Sequence, residues 1–308
     1  MKEKKYTVKV PATTANLGPG FDSLGIALSL YNKTTITLEK FNSGFSEDNL
    51  IYSSFLRFYD VIGKTAPYIK MEQNDNIPQS RGLGSSAACI VTGLSLANLI
   101  SEADMNPMQL LSIANSIEGH PDNVAPAIMG GLVANVVEDL ENSKVVDNNY
   151  KSKGFNPVYS SKTDIPLNIV FAVFSPSFIL ETKVARGVLP ETFSRADAIF
   201  NISRASLLVS SILNGHFDNI EISTQDRLHQ PYRMDLIPGM SDIFKLAKEA
   251  GALGTFLSGA GPSCISILQA KDAVHFNQVV ATKLKETSKE WTFQILHADN
   301  KGVTHEIS

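Results

Sequence analysis

Glycine, serine and carboxylate side chains recur in this chain at spacings that suit phosphate chemistry. The run Arg81-Gly82-Leu83-Gly84-Ser85-Ser86-Ala87 sets two glycines before a pair of serines and a long apolar stretch. Gly82 and Gly84 can take positive φ and let a ligand approach the backbone closely. Ser85 and Ser86 stand where a helix begins, so unpaired N–H groups and about half a positive charge would face a phosphate there. The serine hydroxyls add donors, or an oxygen ligand for Mg²⁺. An ordinary glycine turn with a serine cap has the same composition, and the run alone divides evenly between the two. It has neither the Gly-Lys-[Ser/Thr] ending of a Walker loop nor the third glycine of a dinucleotide fingerprint, so a phosphate site here needs another architecture.

Companion clusters shift that balance. Pro11-Ala12-Thr13-Thr14-Ala15-Asn16-Leu17-Gly18-Pro19-Gly20-Phe21-Asp22 follows a first strand and carries an amide and a carboxylate. Phe256-Leu257-Ser258-Gly259-Ala260-Gly261-Pro262-Ser263 is a second glycine turn. Further polar groups gather in Glu118-Gly119-His120-Pro121-Asp122-Asn123, in Thr182 to Pro190 with Arg186, and in Asp226 to Arg233. In this order and at this spacing, the clusters resemble the GHMP small-molecule kinases over nearly the whole chain. Within that superfamily, the wording PATTANLGPGFDSLGIAL is similar to the homoserine kinases.

The resemblance implies an ATP-dependent phosphotransferase that phosphorylates the hydroxyl of L-homoserine on the route to threonine. It implies a nucleotide-phosphate segment of Pro78, Gln79, Ser80, Arg81, Gly82, Leu83, Gly84, Ser85, Ser86, Ala87 and Ala88, with Mg²⁺ on Ser86 and Glu118. Asn16, Asp22, His120, Arg186 and Arg233 then look like substrate contacts, with Arg227 and Gly259 as weaker ones. A carboxylate such as Asp22 suits an ammonium, and an arginine suits a carboxylate. Asp122, Asn123, Thr182 and Arg186 are the catalytic candidates, and no base is assigned among them, because alignment and electrostatics could suffice. Ser80-Arg81 departs from the Gly-Ser of many members, and Arg81 is read as solvated. Residues 49–60 are placed near the nucleotide, and a homodimer accords with the resemblance.

Elements that could carry these groups are legible around them. Tyr6–Val10 and Thr34–Glu39 read as strands flanking a glycine-, proline- and asparagine-rich loop. Ala87–Ile100 has apolar residues at helical spacing, and Met108–Glu118 is a helix with Asn106 as its cap and Pro107 in its first turn. Leu132–Val137 and Leu167–Phe174 read as strands, and Ser194–Leu213 as a long helix. Met240–Ala250 and Ala273–Glu286 are helices, Gly254–Leu268 is a pair of strands about a glycine turn, and Trp291–Leu296 is a strand. Strands and helices mix without strict alternation, which indicates an α+β fold. The resemblance makes it a two-domain GHMP fold: a mixed nucleotide domain over 1–155 and a ferredoxin-like α+β domain over 156–308. The polar stretch 138–163 marks the expected boundary.

Composition bounds the alternatives. The chain has 308 residues, 43% hydrophobic and 19% charged, as an ordinary globular protein does. Its net charge of -4 offers no positive field for nucleic acid or anionic lipid. No signal peptide or membrane span is expected, and a cytoplasmic location follows. Cys89 and Cys264 lie in apolar runs without metal spacing and are expected as buried thiols. A GHMP kinase of another hydroxylated substrate is the second reading, and Arg186 with Arg233 weighs against a neutral sugar. A sensor that retains the fold without chemistry is the third, and Ser86 with Glu118 weighs against it. Serine hydrolysis would need a G-x-S-x-G elbow, which is absent.

Overall fold

A computed structural model of the chain describes residues 4–41, 46, 48–139, 155–287 and 290–308. Two antiparallel sheets with helices packed on them form the fold. The first sheet runs in the order β10-β1-β2-β4-β5, where β1 is Lys5–Ala15, β2 is Leu24–Glu39, β4 is Leu132–Val137, β5 is Val158–Thr163 and β10 is Thr304–Ile307. β3, Tyr68–Asn74, pairs with the far half of β2, while β4 pairs with its near half. The strand β1 continues five residues beyond the expected Val10, through Pro11. A register shift between Pro11 and Ala12 explains how, since a bulge accommodates a residue without a ladder N–H.

Four helices accompany this sheet: α1 (Leu50–Ile62), α2 (Ser85–Ser101), α3 (Pro107–Glu118) and α4 (Pro121–Met129). Asn106 caps α3 as expected, in a full capping box with Gln109. α2 has hardly any polar face because it is buried almost all round, with Ala87, Ala88, Val91, Leu94 and Ala97 packed into one core beside Val8, Val10, Ile26 and Phe55.

The second sheet runs β7-β8-β6-β9, with β6 at Ile169–Pro176, β7 at Gly254–Leu257, β8 at Cys264–Gln269 and β9 at Trp291–His297. Numbered in its own chain order this is 2-3-1-4, the ferredoxin-like arrangement. β6 alternates between two cores. Phe171 and Val173 join the first core, while Val170 and Phe174 face a second one with Ile243, Phe276 and Val280. Those last residues belong to α9 (Met240–Glu249) and α10 (Ala273–Thr287). Between β6 and β7 run α5 (Thr182–Gly187), α6 (Arg195–Asn214), α7 (Ile220–Ser223) and α8 (Gln230–Arg233).

Three observations bear on the remaining expectations. β5 pairs with β4, so the first sheet continues past residue 155, and it takes its edge strand β10 from the end of the chain. Residues 140–154 of the expected boundary stretch lie outside the described residues. Secondly, α6 is long and apolar enough by composition alone to pass for a membrane span, a weak sign that the core helix of a globular fold gives as well. Its inner face packs Leu208 and Ile212 into the core, and it carries Arg195, Asp197 and Arg204. Finally, Cys89 is only partly buried, although burial still pushes its thiol up to about 11.

Candidate active site

The glycine run lies in the seam between the sheets. Gly84 occupies the N-cap position of α2 at φ 68°, with no side chain capping the first turn. The amides of that turn are therefore open to an anion. A Cβ on Gly84 would collide with Thr13 Oγ1, and one on Gly82 with the carbonyls of Ser258 and Gly261, so only glycine fits at either position. The loop is clamped on both sides. Thr13 N donates to Leu83 O at 3.1 Å, Ser263 N donates to Arg81 O at 3.2 Å, and Ser258 Oγ donates to Gly82 O. Arg81 is not merely solvated. Its Nη2 donates to Ser177 O at 2.7 Å, tying the loop to the end of β6.

A cleft of about 140 Å³ opens against this loop. At one end Ser86 Oγ donates to Glu118 Oε2 at 2.7 Å. Glu118 is the last residue of α3, and burial raises its pKa, only partly offset by the Ser86 hydrogen bond. A hydroxyl and a desolvated carboxylate are hard oxygen donors of the kind Mg²⁺ takes, and a cation would relieve the cost of holding that charge. These residues fit the metal.

Opposite them, Arg186 on α5 grips Asp22 through two hydrogen bonds, Nη2 to Oδ1 at 2.6 Å and Nη1 to Oδ2 at 3.0 Å. Asp22 sits at φ 55° because Asn16 Oδ1 accepts its N–H at 2.9 Å and folds the loop around it. Asn16 Nδ2 donates to Gly259 O at 2.9 Å, so this amide is spent on joining the first and third motifs. Arg233 is 1% exposed and held by Ala185 O, Gly259 O and His229 Nδ1. Burial pushes its pKa down to about 10, and it stays cationic near neutrality. Both guanidinium groups lie 5.5 Å from the centre of the Phe21 ring.

The floor is the start of α4. His120 is its N-cap residue, and His120 Nδ1 lies 2.8 Å from Asp122 Oδ1. Burial opposes the imidazolium, but the Asp122 hydrogen bond and charge outweigh it and raise the His120 pKa. Asn123 Oδ1 accepts from Thr13 Oγ1 at 2.7 Å.

Of the residues singled out from sequence, Asn16, Asp22, Ser80, Arg81, Gly82, Gly84, Ser85, Ser86, Glu118, His120, Asp122, Asn123, Thr182, Arg186, Arg233 and Gly259 all line the cleft. Arg227 does not. Its guanidinium is half-exposed, over Phe200 at 4.0 Å and 3.4 Å from Asp197. Leu83, Ala87 and Ala88 turn into the core, and Pro78 stands exposed outside the lining. Gln79 instead lines an adjoining hollow of about 420 Å³, which shares Ser80, Ser85 and Ser86 with the cleft and includes Asp48, Asn49, Gln73, Asp75 and Cys89.

Sequence reasoning missed the frame behind the Asp22–Arg186 end of the cleft. The buried Asp226 carboxylate accepts from Asn201 Nδ2 and from the backbone N–H groups of Leu228, His229 and Gln230. His229, fully buried, stacks on Phe21 at 5.2 Å and donates from Nε2 to Gly18 O at 2.7 Å. Burial lowers its pKa, which keeps it neutral. An aspartate three residues before a histidine gave no local pattern by which to find this. Also unforeseen, one ligand atom each of Asp22, His120 and Asp122 falls within 4.8 Å of the others, a metal-sized grouping at the end of the cleft away from Ser86 and Glu118.

Comparison with known proteins accords with this geometry. Residues 49–131 match the GHMP kinases N terminal domain and residues 208–279 match GHMP kinases C terminal. Homoserine kinase of Caldicellulosiruptor saccharolyticus is 39% identical over 97% of this chain and 96% of its own length. That of Clostridium acetobutylicum is 40% identical over 96% and 98%. The chain belongs to the homoserine kinase family of the GHMP kinases. A crystal structure of homoserine kinase from Cytophaga hutchinsonii superposes with a TM-score of 0.84 at 27% identity, covering 99% of this chain and 98% of that one. The fold alone extends further, to a mevalonate diphosphate decarboxylase from Enterococcus faecalis at a TM-score of 0.67 and 15% identity. As a family member the chain is an ATP-dependent kinase of a small molecule.

Proposed function

We propose that the protein transfers the γ-phosphoryl group of ATP to the side-chain hydroxyl of L-homoserine, giving O-phospho-L-homoserine and ADP on the route to threonine. The observation that carries the substrate is the Asp22–Arg186 pair facing the glycine loop across one small cleft. An anion and a planar cation side by side are the complement of an amino-acid zwitterion, and a neutral sugar has no use for them.

In this reading the triphosphate lies on the amides of Gly84 to Ala87, and the adenosine occupies the adjoining hollow beside Asn49 and Gln79. Ser86 and Glu118 would hold Mg²⁺, which neutralises phosphate charge when bound. Asp22 releases Arg186 and takes the substrate ammonium, while Arg186 and Arg233 take its carboxylate. Thr182 and Asn123 bracket the hydroxyl. Asp122, oriented by His120, accepts a hydrogen bond from that hydroxyl and aims it at the γ-phosphorus. Three charged anchors on a substrate of this size fix the reacting oxygen without a strong base, and the cationic rim stabilises the transferring group.

Replacing Glu118 by Ala tests the enzymatic role. ADP formation should fall at least about a hundredfold while homoserine affinity, measured calorimetrically without nucleotide, stays within about threefold. Unchanged turnover would remove Glu118 from the phosphate end and the reading with it.

A further inference from the structure

The buried frame behind the Asp22–Arg186 pair holds a histidine whose protonation state follows from its two partners. His229 caps α8 and Arg233 ends it four residues on, so the two side chains share one face. His229 Nδ1 lies 3.1 Å from Arg233 Nη1, and Nε2 lies 2.7 Å from Gly18 O. A guanidinium only donates and a carbonyl only accepts, so Nδ1 must be bare and Nε2 must carry the proton. An imidazolium would set a second N–H against the N–H of Arg233. Burial disfavours that charged form, and the Arg233 charge does too, against the opposing pull of Asp22 and of Asp226, whose Oδ2 is 3.6 Å from Nε2.

The donors of Arg233 show what this tautomer is for. Nε donates to Ala185 O, and Nη1 is shared between His229 Nδ1 and Gly259 O. Nη2 donates to nothing among the described residues, although the side chain is 1% exposed and lines the cleft. A buried guanidinium nitrogen without a partner is costly to leave so, and a ligand carboxylate would satisfy it. A core histidine that merely fills space would meet backbone groups at both nitrogens, whereas this one spends its lone pair on the arginine that faces the site. Its other end is anchored. Gly18 O belongs to the loop that carries Asp22, and Asn201 Nδ2 holds the next carbonyl, Pro19 O, while also donating to Asp226.

We propose that His229 is a positioning residue for Arg233. Anchored on Gly18 O as the Nε2–H tautomer, it turns the guanidinium so that Nη2 meets the carboxylate of the phosphoryl acceptor. This rests on the homoserine reading above and adds to it a residue that touches neither substrate.

Two variants separate the two ends of the imidazole. His229→Gln sets an amide where Nε2 stands, which keeps the bond to Gly18 O and removes the acceptor for Arg233. His229→Asn sets its oxygen where Nδ1 stands and keeps that acceptor. In a coupled ADP assay, kcat/KM for homoserine should fall about 10- to 100-fold in His229→Gln, with KM for ATP within about twofold of wild type. His229→Asn should stay within about fivefold of wild type. Equal losses in the two variants, a parallel rise in KM for ATP, or no loss in His229→Gln overturns the proposal. Long-range ¹H–¹⁵N spectra of the wild-type chain labelled at histidine, assigned by substituting the other histidines in turn, keep the test decisive if either variant fails to fold. They should show His229 as the Nε2–H tautomer at pH ~7.5, with an Nδ1 resonance that shifts on adding homoserine. An Nδ1–H form, an imidazolium, or an Nδ1 resonance indifferent to homoserine overturns the proposal. Absence of homoserine turnover in the wild type overturns the homoserine reading and this inference together, whereas wild-type turnover with an unaffected His229→Gln overturns this inference alone.

Discussion

Asp22→Asn removes the charge of one partner in the Asp22–Arg186 pair and keeps its shape. The two side chains are about one-third exposed, 34% for Asp22 and 36% for Arg186, so the pair should contribute no more than about 1 kcal/mol to folding. A chain of this size should lose at most about 3 °C of melting temperature. Binding is a different matter. A charge-assisted hydrogen bond between ammonium and carboxylate is worth about 1.5–3 kcal/mol, so kcat/KM for homoserine should fall roughly 10- to 150-fold. 4-Hydroxybutyrate, which has the carboxylate and hydroxyl but no amine, separates the two ends of the site. In the wild type it must draw Arg186 away from Asp22 and offer nothing in return. In Asp22→Asn the guanidinium is already free, so kcat/KM for 4-hydroxybutyrate should stay level or rise while that for homoserine drops. A coupled ADP assay with both substrates on both enzymes measures this. Equal losses for the two substrates, or no loss for homoserine, would refute the assignment of Asp22 to the ammonium.

Three further outcomes follow from the same geometry. Gly84→Ala combines a left-handed backbone with a collision against Thr13, and should cost about 2–4 kcal/mol in chemical denaturation and abolish turnover in whatever remains folded. His120 has a raised pKa through Asp122, so its contribution to stability is fully present below the unfolded value of about 6.5 and fades as pH climbs through the folded value. The stability gap between wild type and His120→Gln should accordingly be wide at pH 6 and narrow by pH 8 in urea titrations. Burial raises the Glu118 pKa, so affinity for Mg²⁺ with a nonhydrolysable ATP analogue should weaken on acidification sooner than an ordinary carboxylate would allow. Proton release measured on binding in two buffers should be lost in Glu118→Gln.

Much of the frame was legible because its signals are local. The cap at Asn106, the proline after it and the apolar spacing of 87–100 each act within a few residues, and both helices stand within two residues of expectation. α1 was not anticipated as a helix, although Asn49 caps it with its side chain, since the stretch was read only for nearness to the nucleotide. α4 was hidden by its prolines. Pro121 looked like the end of a helix and instead opens the next one, and Pro126 lies inside it. β10 is four exposed residues whose strand character comes wholly from pairing with β1, nearly three hundred residues away. The site divided along the same line. Most of the motif residues come together around one cleft, whereas Pro78, Gln79, Leu83, Ala87 and Ala88 lie outside its lining, and Arg81 and Arg227 exchanged the environments foreseen for them. Arg81 found a carbonyl at the end of β6, and Arg227 found Asp197 and Phe200 on α6, contacts that only the tertiary fold creates.

The central claim is tested most directly by incubating the purified chain with ATP, Mg²⁺ and a panel of hydroxyl acceptors, and following ADP together with the phosphorylated product by ³¹P NMR. O-phospho-L-homoserine should form stoichiometrically with ADP, and mevalonate and galactose should give no product. Turnover of mevalonate or a sugar with none of homoserine would contradict the account.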